Sequence, residues 1–208
     1  MIFESFPVGP LEVNCYILGC EKTREAIVID AGGDSEKIVN FIEKNSLKLK
    51  YILCTHSHFD HISGNYDLKN ATDAPIMIHK AEADSITNIS ASALMFGLNI
   101  KNSPPADILL EHGDNIQVGE EIILATLHTP GHSAGSSSFI LQGYPVVFVG
   151  DTLFAGSIGR TDLPGGDYNT LIDSVKKHLF VLPDETKAFP GHGPETTIGY
   201  EKKYNPFF

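Results

Sequence analysis

Thr55-His56-Ser57-His58-Phe59-Asp60-His61 places three imidazoles and one carboxylate within six consecutive residues, outside any low-complexity histidine tract. Packing does not call for such a density of metal-ligating side chains. Neutral imidazole suits zinc, iron and other transition metals, and a carboxylate oxygen adds charge to the site. On an extended backbone side chains repeat with period two, so His56 and His58 point the same way. Asp60 and His61 stand where the chain turns into a helix. The stretch therefore presents two offset groups of ligands to one cavity, a geometry suited to two adjacent ions.

Three more candidates lie far along the chain: His132 in Thr129-Pro130-Gly131-His132-Ser133, Asp151 in Gly150-Asp151-Thr152, and His192 in Pro190-Gly191-His192-Gly193. Each ends an apolar run beside glycine or proline, where a strand gives way to a loop. Strand ends converge on one edge of a sheet, so distant residues can meet there. The resulting set of seven exceeds one tetrahedral zinc and divides into two sites with a shared group.

Composition narrows the rest. The apolar share of 42% suffices for one large core, so a single domain over residues 1–208 is expected. A net charge of −11 repels phosphate backbones and argues against a nucleic-acid partner. No apolar run approaches membrane-spanning length, and Met1-Ile2-Phe3-Glu4 lacks a basic region followed by an apolar one, so a signal peptide is not expected. Cys15, Cys20 and Cys54 show no paired spacing, so neither a disulfide framework nor a zinc knuckle is indicated, and a cytoplasmic location is expected. Cys54 reads as a small buried residue closing a strand rather than as a ligand.

Strand patterns cover 2–6, 13–18, 26–30, 49–54, 75–79, 108–110, 116–118, 121–128, 136–141, 146–149 and 187–189. Helical patterns cover about 35–45, capped by Asp34 or Ser35, then 60–69, 168–179 and 195–203. The irregular stretch 81–107 reads equally as a pocket wall and as a surface excursion. The expected architecture is two β-rich halves with helices outside and the ligands where the sheets meet.

Thr55–Gly64, Thr129–His132, Gly150–Asp151 and Pro190–Gly193 resemble, in order and spacing, the ligand motifs of the metallo-β-lactamase superfamily. The resemblance spans essentially the whole chain. It implies an α/β (α+β) fold of the αββα sandwich type, two β-sheets with helices on the outer faces. Asn14-Cys15-Tyr16, Gly150–Phe154, Gly159–Asp162 and Tyr204–Phe207 are most similar to the short, glyoxalase II-like (hydroxyacylglutathione hydrolase-like) enzymes. By that resemblance His56, His58 and His132 hold a first metal. Asp60, His61 and His192 hold a second, and Asp151 bridges them. Zinc is the expected metal, with iron or manganese as alternatives. Longer glyoxalase II enzymes carry an added C-terminal helical domain that binds glutathione, and this sequence ends about where that domain would begin.

The chemistry so implied is attack of a metal-bridging hydroxide on a small-molecule thioester, with Asp60 and Asp151 as the catalytic carboxylates. Arg160 reads equally as the clamp for a substrate carboxylate and as the ion-pair partner of Asp162 or Asp167. Two other reactions suit the same motifs. His56, His132 and Asp151 alone would make a mononuclear iron site of the persulfide dioxygenase kind, and a lactone or β-lactam hydrolase is chemically compatible as well. Asp30 is expected to brace the backbone of the histidine loop. His79 and His112 read as loop or strand-end histidines, His128 as a packing or supporting one, His178 as a solvated partner of the helix dipole at a helix end, and Tyr16 as a core residue.

Overall fold

Apolar runs in the first half of the chain pair into one sheet. The computed structural model describes residues 1–208 and resolves two compact units, Met1–Leu110 with Gln117–Ile122, and Glu111–Ile116 with Ile123–Phe208. In the first unit β1 (Ile2–Val8), β2 (Val13–Gly19), β3 (Glu25–Ile29), β4 (Lys48–Leu53), β5 (Ile76–His79) and β6 (Ile108–Leu110) lie side by side in that order. Edge strand β1 alternates between half-buried and exposed residues, the period-two signature of a strand covered on one face. Interior strand β3 is buried continuously over Ala26–Ile29, as a strand covered on both faces must be.

Strands β1 to β3 are antiparallel, and β3 to β6 are parallel. Parallel neighbours need crossovers. These are α1 (Ser35–Lys44), then α2 (Phe59–Ile62) with α3 (Asn65–Thr72), then residues 80–107, which hold α4 (Ser90–Leu94). Ligands settle outside the carboxyl ends of parallel strands, and Asp30, Thr55–His61 and Lys80–Glu82 all follow such ends.

Local details depart from the sequence expectations. Asp34 heads α1 without capping it. It sits at φ 46°, and its carboxylate accepts instead from the Gly9 N–H at 3.1 Å. The single helix expected from Asp60 breaks at Ser63-Gly64, because the Gly64 N–H donates to the Ala31 carbonyl at 2.8 Å. Asp60 and His61 thus ride a separate one-turn helix. The 81–107 stretch is anchored through Ile86, Ile89 and Ala93, which join the core of this unit, while Leu94, Met95 and Phe96 are 62%, 87% and 56% exposed.

The second sheet contains β7 (Asn115–Val118), β8 (Ile122–His128), β9 (Ser137–Leu141), β10 (Val146–Gly150), β13 (Lys187–Pro190) and β14 (Thr196–Thr197), in the order β14-β13-β10-β9-β8-β7. A hairpin, β11 (Leu153–Phe154) with β12 (Ser157–Ile158), stands apart. β10 and β13 are parallel, and Gly150-Asp151 and Pro190–His192 lie at their carboxyl ends. The helix expected over 168–179 is α5 (Tyr168–Ser174) continued by a π turn over Val175–Leu179. Its Leu171, Val175 and Leu179 pack with Val147, Val149 and Ala188. The last helix, α6 (Ile198–Tyr204), starts later than its pattern implies. Thr196 and Thr197 pair with β13, and the Thr197 hydroxyl caps α6. Buried Glu201 accepts from the Gly156 N–H at 2.9 Å and the Asn205 amide at 2.8 Å, and Asn205 also donates to the Ser157 carbonyl, tying α6 to the hairpin. No helix is long and apolar enough to cross a membrane.

Candidate metal centre

In the first unit β3 and β4 end side by side, and their first loop residues interlock. Asp30, 1% exposed at φ 56°, accepts from the Thr55 N–H and hydroxyl, both at 2.8 Å, and pairs with His61 Nδ1 at 2.9 Å. The expected role of Asp30 as brace of the histidine loop is therefore met, with orientation of a ligand added. The Thr55 hydroxyl lies 3.0 Å from His56 Nδ1. The His56 ring sits 4.6 Å from that of His58 and 4.1 Å from that of His61. Gly32 backs the loop so closely that a Cβ there would stand 1.8 Å from the Asp60 carbonyl oxygen.

In the second unit the ligand candidates come one from each strand end. His132 Nδ1 lies 2.8 Å from the Arg160 carbonyl. Asp151 Oδ2 is 3.6 Å from His132 Nε2 and 3.9 Å from His192 Nε2. Gly159 plays the part of Gly32, since a Cβ there would stand 1.8 Å from the Asp151 carbonyl oxygen.

Three groups of side chains can each hold an ion: His56, His58 and His132; His56, His61 and Asp151; Asp60, His61 and His192. Within each group the ligand atoms lie within 4.8 Å of one another. All seven candidates read from the sequence are thus brought together in these groups, and Cys54 is not. Its thiol is buried, accepts from the Asn65 amide at 3.3 Å and is pushed up by that burial, away from the thiolate a metal needs.

The donor set fits divalent ions. His56, His61 and His132 each commit Nδ1 to a hydroxyl, carboxylate or carbonyl, which turns Nε2 to the ligand role, the usual outer-shell arrangement of metal-binding histidines. Pairs such as His61 Nε2 and Asp60 Oδ2, 3.7 Å apart, are too long for hydrogen bonds. They match two atoms bound to one ion, which stand roughly 3.4 Å apart at tetrahedral angles.

Outside this cluster, Arg160 forks onto Asp162 with both contacts at 2.8 Å, and the guanidinium holds that carboxyl at about 2. The other histidines take structural roles. His79 accepts from the Ala81 N–H, His128 Nε2 meets the Ala134 carbonyl at 2.9 Å, and the His112 and His178 rings lie 5.0 Å apart. The backing roles of Gly32 and Gly159, and Glu82 altogether, were not visible in the sequence. Nothing local marks a glycine that backs a ligand, and Glu82 looks like any polar loop residue.

The sequence profile of the Metallo-beta-lactamase superfamily matches residues 8–192. The chain is similar to hydroxyacylglutathione hydrolase GloC of Haemophilus influenzae, 37% identical over 209 residues that cover 100% of this chain and 98% of that protein. Among solved structures it is similar to BLEG-1 B3 metallo-beta-lactamase, at 38% identity and TM-score 0.91 with 99% of each chain covered. It is also similar to TTHA1623 in a di-iron-bound form, at 37% identity and TM-score 0.90, covering 99% of this chain and 100% of that one. The α/β architecture expected from the motifs, with two sheets and helices, is the fold of these structures. With its His/Asp cluster and a match along its length, the chain belongs to the metallo-beta-lactamase superfamily.

Proposed function

We propose that this chain is a binuclear metallohydrolase that cleaves small-molecule thioesters, in the manner of hydroxyacylglutathione hydrolase (glyoxalase II). The observation that carries the reading is the ligand grouping. His56, His58 and His132 suit one ion, Asp60, His61 and His192 a second, and Asp151 groups with a histidine from each set. Full-length likeness to GloC supports thioesters as the substrate class. Three free, buried cysteines fit the reducing cytoplasm.

Bound divalent ions supply a water of lowered pKa and an electrophile for the thioester oxygen. The chain's own groups do the rest. Asp151 sets the spacing of the two ligand sets. Asp60, 14% exposed at its side chain, orients the attacking water and accepts its hydrogen bond. A thiolate leaves without a strong general acid, which explains why none is required of the remaining histidines. Arg160 can exchange Asp162 for a substrate carboxylate at small cost, because the pair is exposed to water. Leu94, Met95 and Phe96 form an apolar wall, with the Phe96 ring 5.2 Å from that of Phe59, next to Asp60.

β-Lactam hydrolysis is the second reading, favoured by the likeness to BLEG-1. Iron competes with zinc as the metal, given the di-iron form of TTHA1623. The deciding experiment combines metal analysis with a substrate panel. The expected result is two ions per chain, hydrolysis of S-lactoylglutathione and of thioesters with smaller thiols, and much slower turnover of a β-lactam. Oxygen consumption with glutathione persulfide and a ceiling of one iron, without thioester cleavage, would replace the hydrolase with a dioxygenase.

A further inference from the structure

One buried carboxylate stands next to the ligand loop without belonging to any ion-holding group. Glu82 is 3% exposed, and burying a carboxylate is costly unless hydrogen bonds compensate. Its Oε2 accepts from the Ser57 hydroxyl and, at 3.0 Å, from the Ser85 hydroxyl, and the two hydroxyls are 2.7 Å apart. Ser57 is itself buried and stands between His56 and His58. His56 and His58 fall in one ion-holding group, while the Ser57 hydroxyl between them goes to Glu82, which belongs to none of those groups. Whatever grips Ser57 sets the direction of two imidazoles.

The grip is well founded. Glu82 closes the short 3-10 turn Lys80–Glu82, whose start is capped by His79. The chain beyond it is pinned by Ile86, Ile89 and Ala93 in the core of the first unit. We infer that Glu82 is a positioning residue that holds Ser57, aims His56 and His58 at the ion they share, and ties the 80–107 crossover to the ligand loop. This rests on the metallohydrolase reading only in taking an ion to sit at His56 and His58.

Cobalt(II) titration of the metal-free protein tests it without any activity assay. E82A and S57A should weaken cobalt at this site about 10–100-fold, the usual effect of losing an outer-shell partner, and should change the visible d–d spectrum. E82Q keeps a carbonyl oxygen for both hydroxyls and should return affinity and spectrum to within about threefold of wild type, a difference worth under 1 kcal/mol. S57A removes the grip but leaves Glu82 bonded to Ser85, which guards against E82A failing to fold. Wild-type cobalt affinity and spectrum in both E82A and S57A would reduce Glu82 to a fold-stabilising residue and overturn the inference. Wild-type cobalt binding by H56A is a separate outcome, which would sink the metallohydrolase reading as well.

Discussion

The two units hold their ligand candidates by different means. In the first unit His56, His58, Asp60 and His61 share one loop, and buried side-chain carboxylates, Asp30 and Glu82, grip it through Thr55, His61 and Ser57. In the second unit His132, Asp151 and His192 come from separate strand ends. Backbone meets two of them there, the Arg160 carbonyl at His132 and the close approach of Gly159 at Asp151. A flexible loop carrying several ligands has many ways to rearrange, so it needs specific side-chain ties. A ligand at the end of a rigid strand inherits its position from the sheet. Side-chain bracing should therefore be tunable by polar substitutions, and backbone bracing only by steric ones.

The largest effect should come from the residue on which the second set depends. Asp151→Ala should lower kcat on the order of 10^3-fold or more and reduce the metal content towards one ion or none. Near-normal turnover with full metal content would show that Asp151 is not the shared ligand.

Glycine substitutions test whether backbone bracing is steric. Gly159→Ala and Gly32→Ala each put a methyl group 1.8 Å from a ligand's carbonyl oxygen. Something must shift, at about 1–3 kcal/mol. Both variants should show lower Tm and poor metal retention. Unchanged metal content in either would mean that its loop relaxes without moving the carboxylate.

Asp30→Asn sharpens the contrast, because it attacks only the side-chain bracing. The amide tolerates the left-handed backbone and can still accept from Thr55, but its NH2 cannot accept from His61 Nδ1. The expected cost is about 1–3 kcal/mol of stability and about 10–100-fold in affinity for the ion held by His61. Equal loss at the His56–His58 site would show that the loop responds as one body.

Arg160→Ala should act on substrate alone. KM should rise roughly tenfold, equivalent to about 1.4 kcal/mol, with kcat and metal content kept. An unchanged KM would leave Arg160 as the partner of Asp162 only.

The smallest effect concerns His178, away from the ligands in the second unit. Burial first, then the nearby His112, Lys177 and His128, holds it below the ordinary histidine value of 6.5. The neutral form is thus favoured in the folded state. Its contribution to stability is full above that ordinary value and is lost as pH falls from there towards the folded one. NMR titration should place its midpoint below 6.5, and His178→Gln should slightly flatten the acid side of the stability curve. A midpoint at or above the ordinary value would remove the effect.

The seven ligand candidates were legible in the sequence because metal chemistry admits few side chains, and they stand at strand ends that apolar runs and turn residues announce. The longer strands followed from the same runs, whereas the short β11, β12 and β14 and the pairing order within each sheet did not. Helix ends did not. Asp34 is spent on Gly9, Gly64 on Ala31, and Thr196-Thr197 on β13, all partners far away in the chain or on a neighbouring strand.

The sequence by itself determined which side chains are able to ligate a metal and where sheet and helix alternate, since both are local properties of side chains. Only the tertiary structure decided what holds those ligands. Asp30 and Thr55 are 25 residues apart, as are Ser57 and Glu82, and Gly159 reaches the Asp151 backbone only once the hairpin has turned. Such contacts arise from strand pairing and close packing, which no local pattern of residue types records.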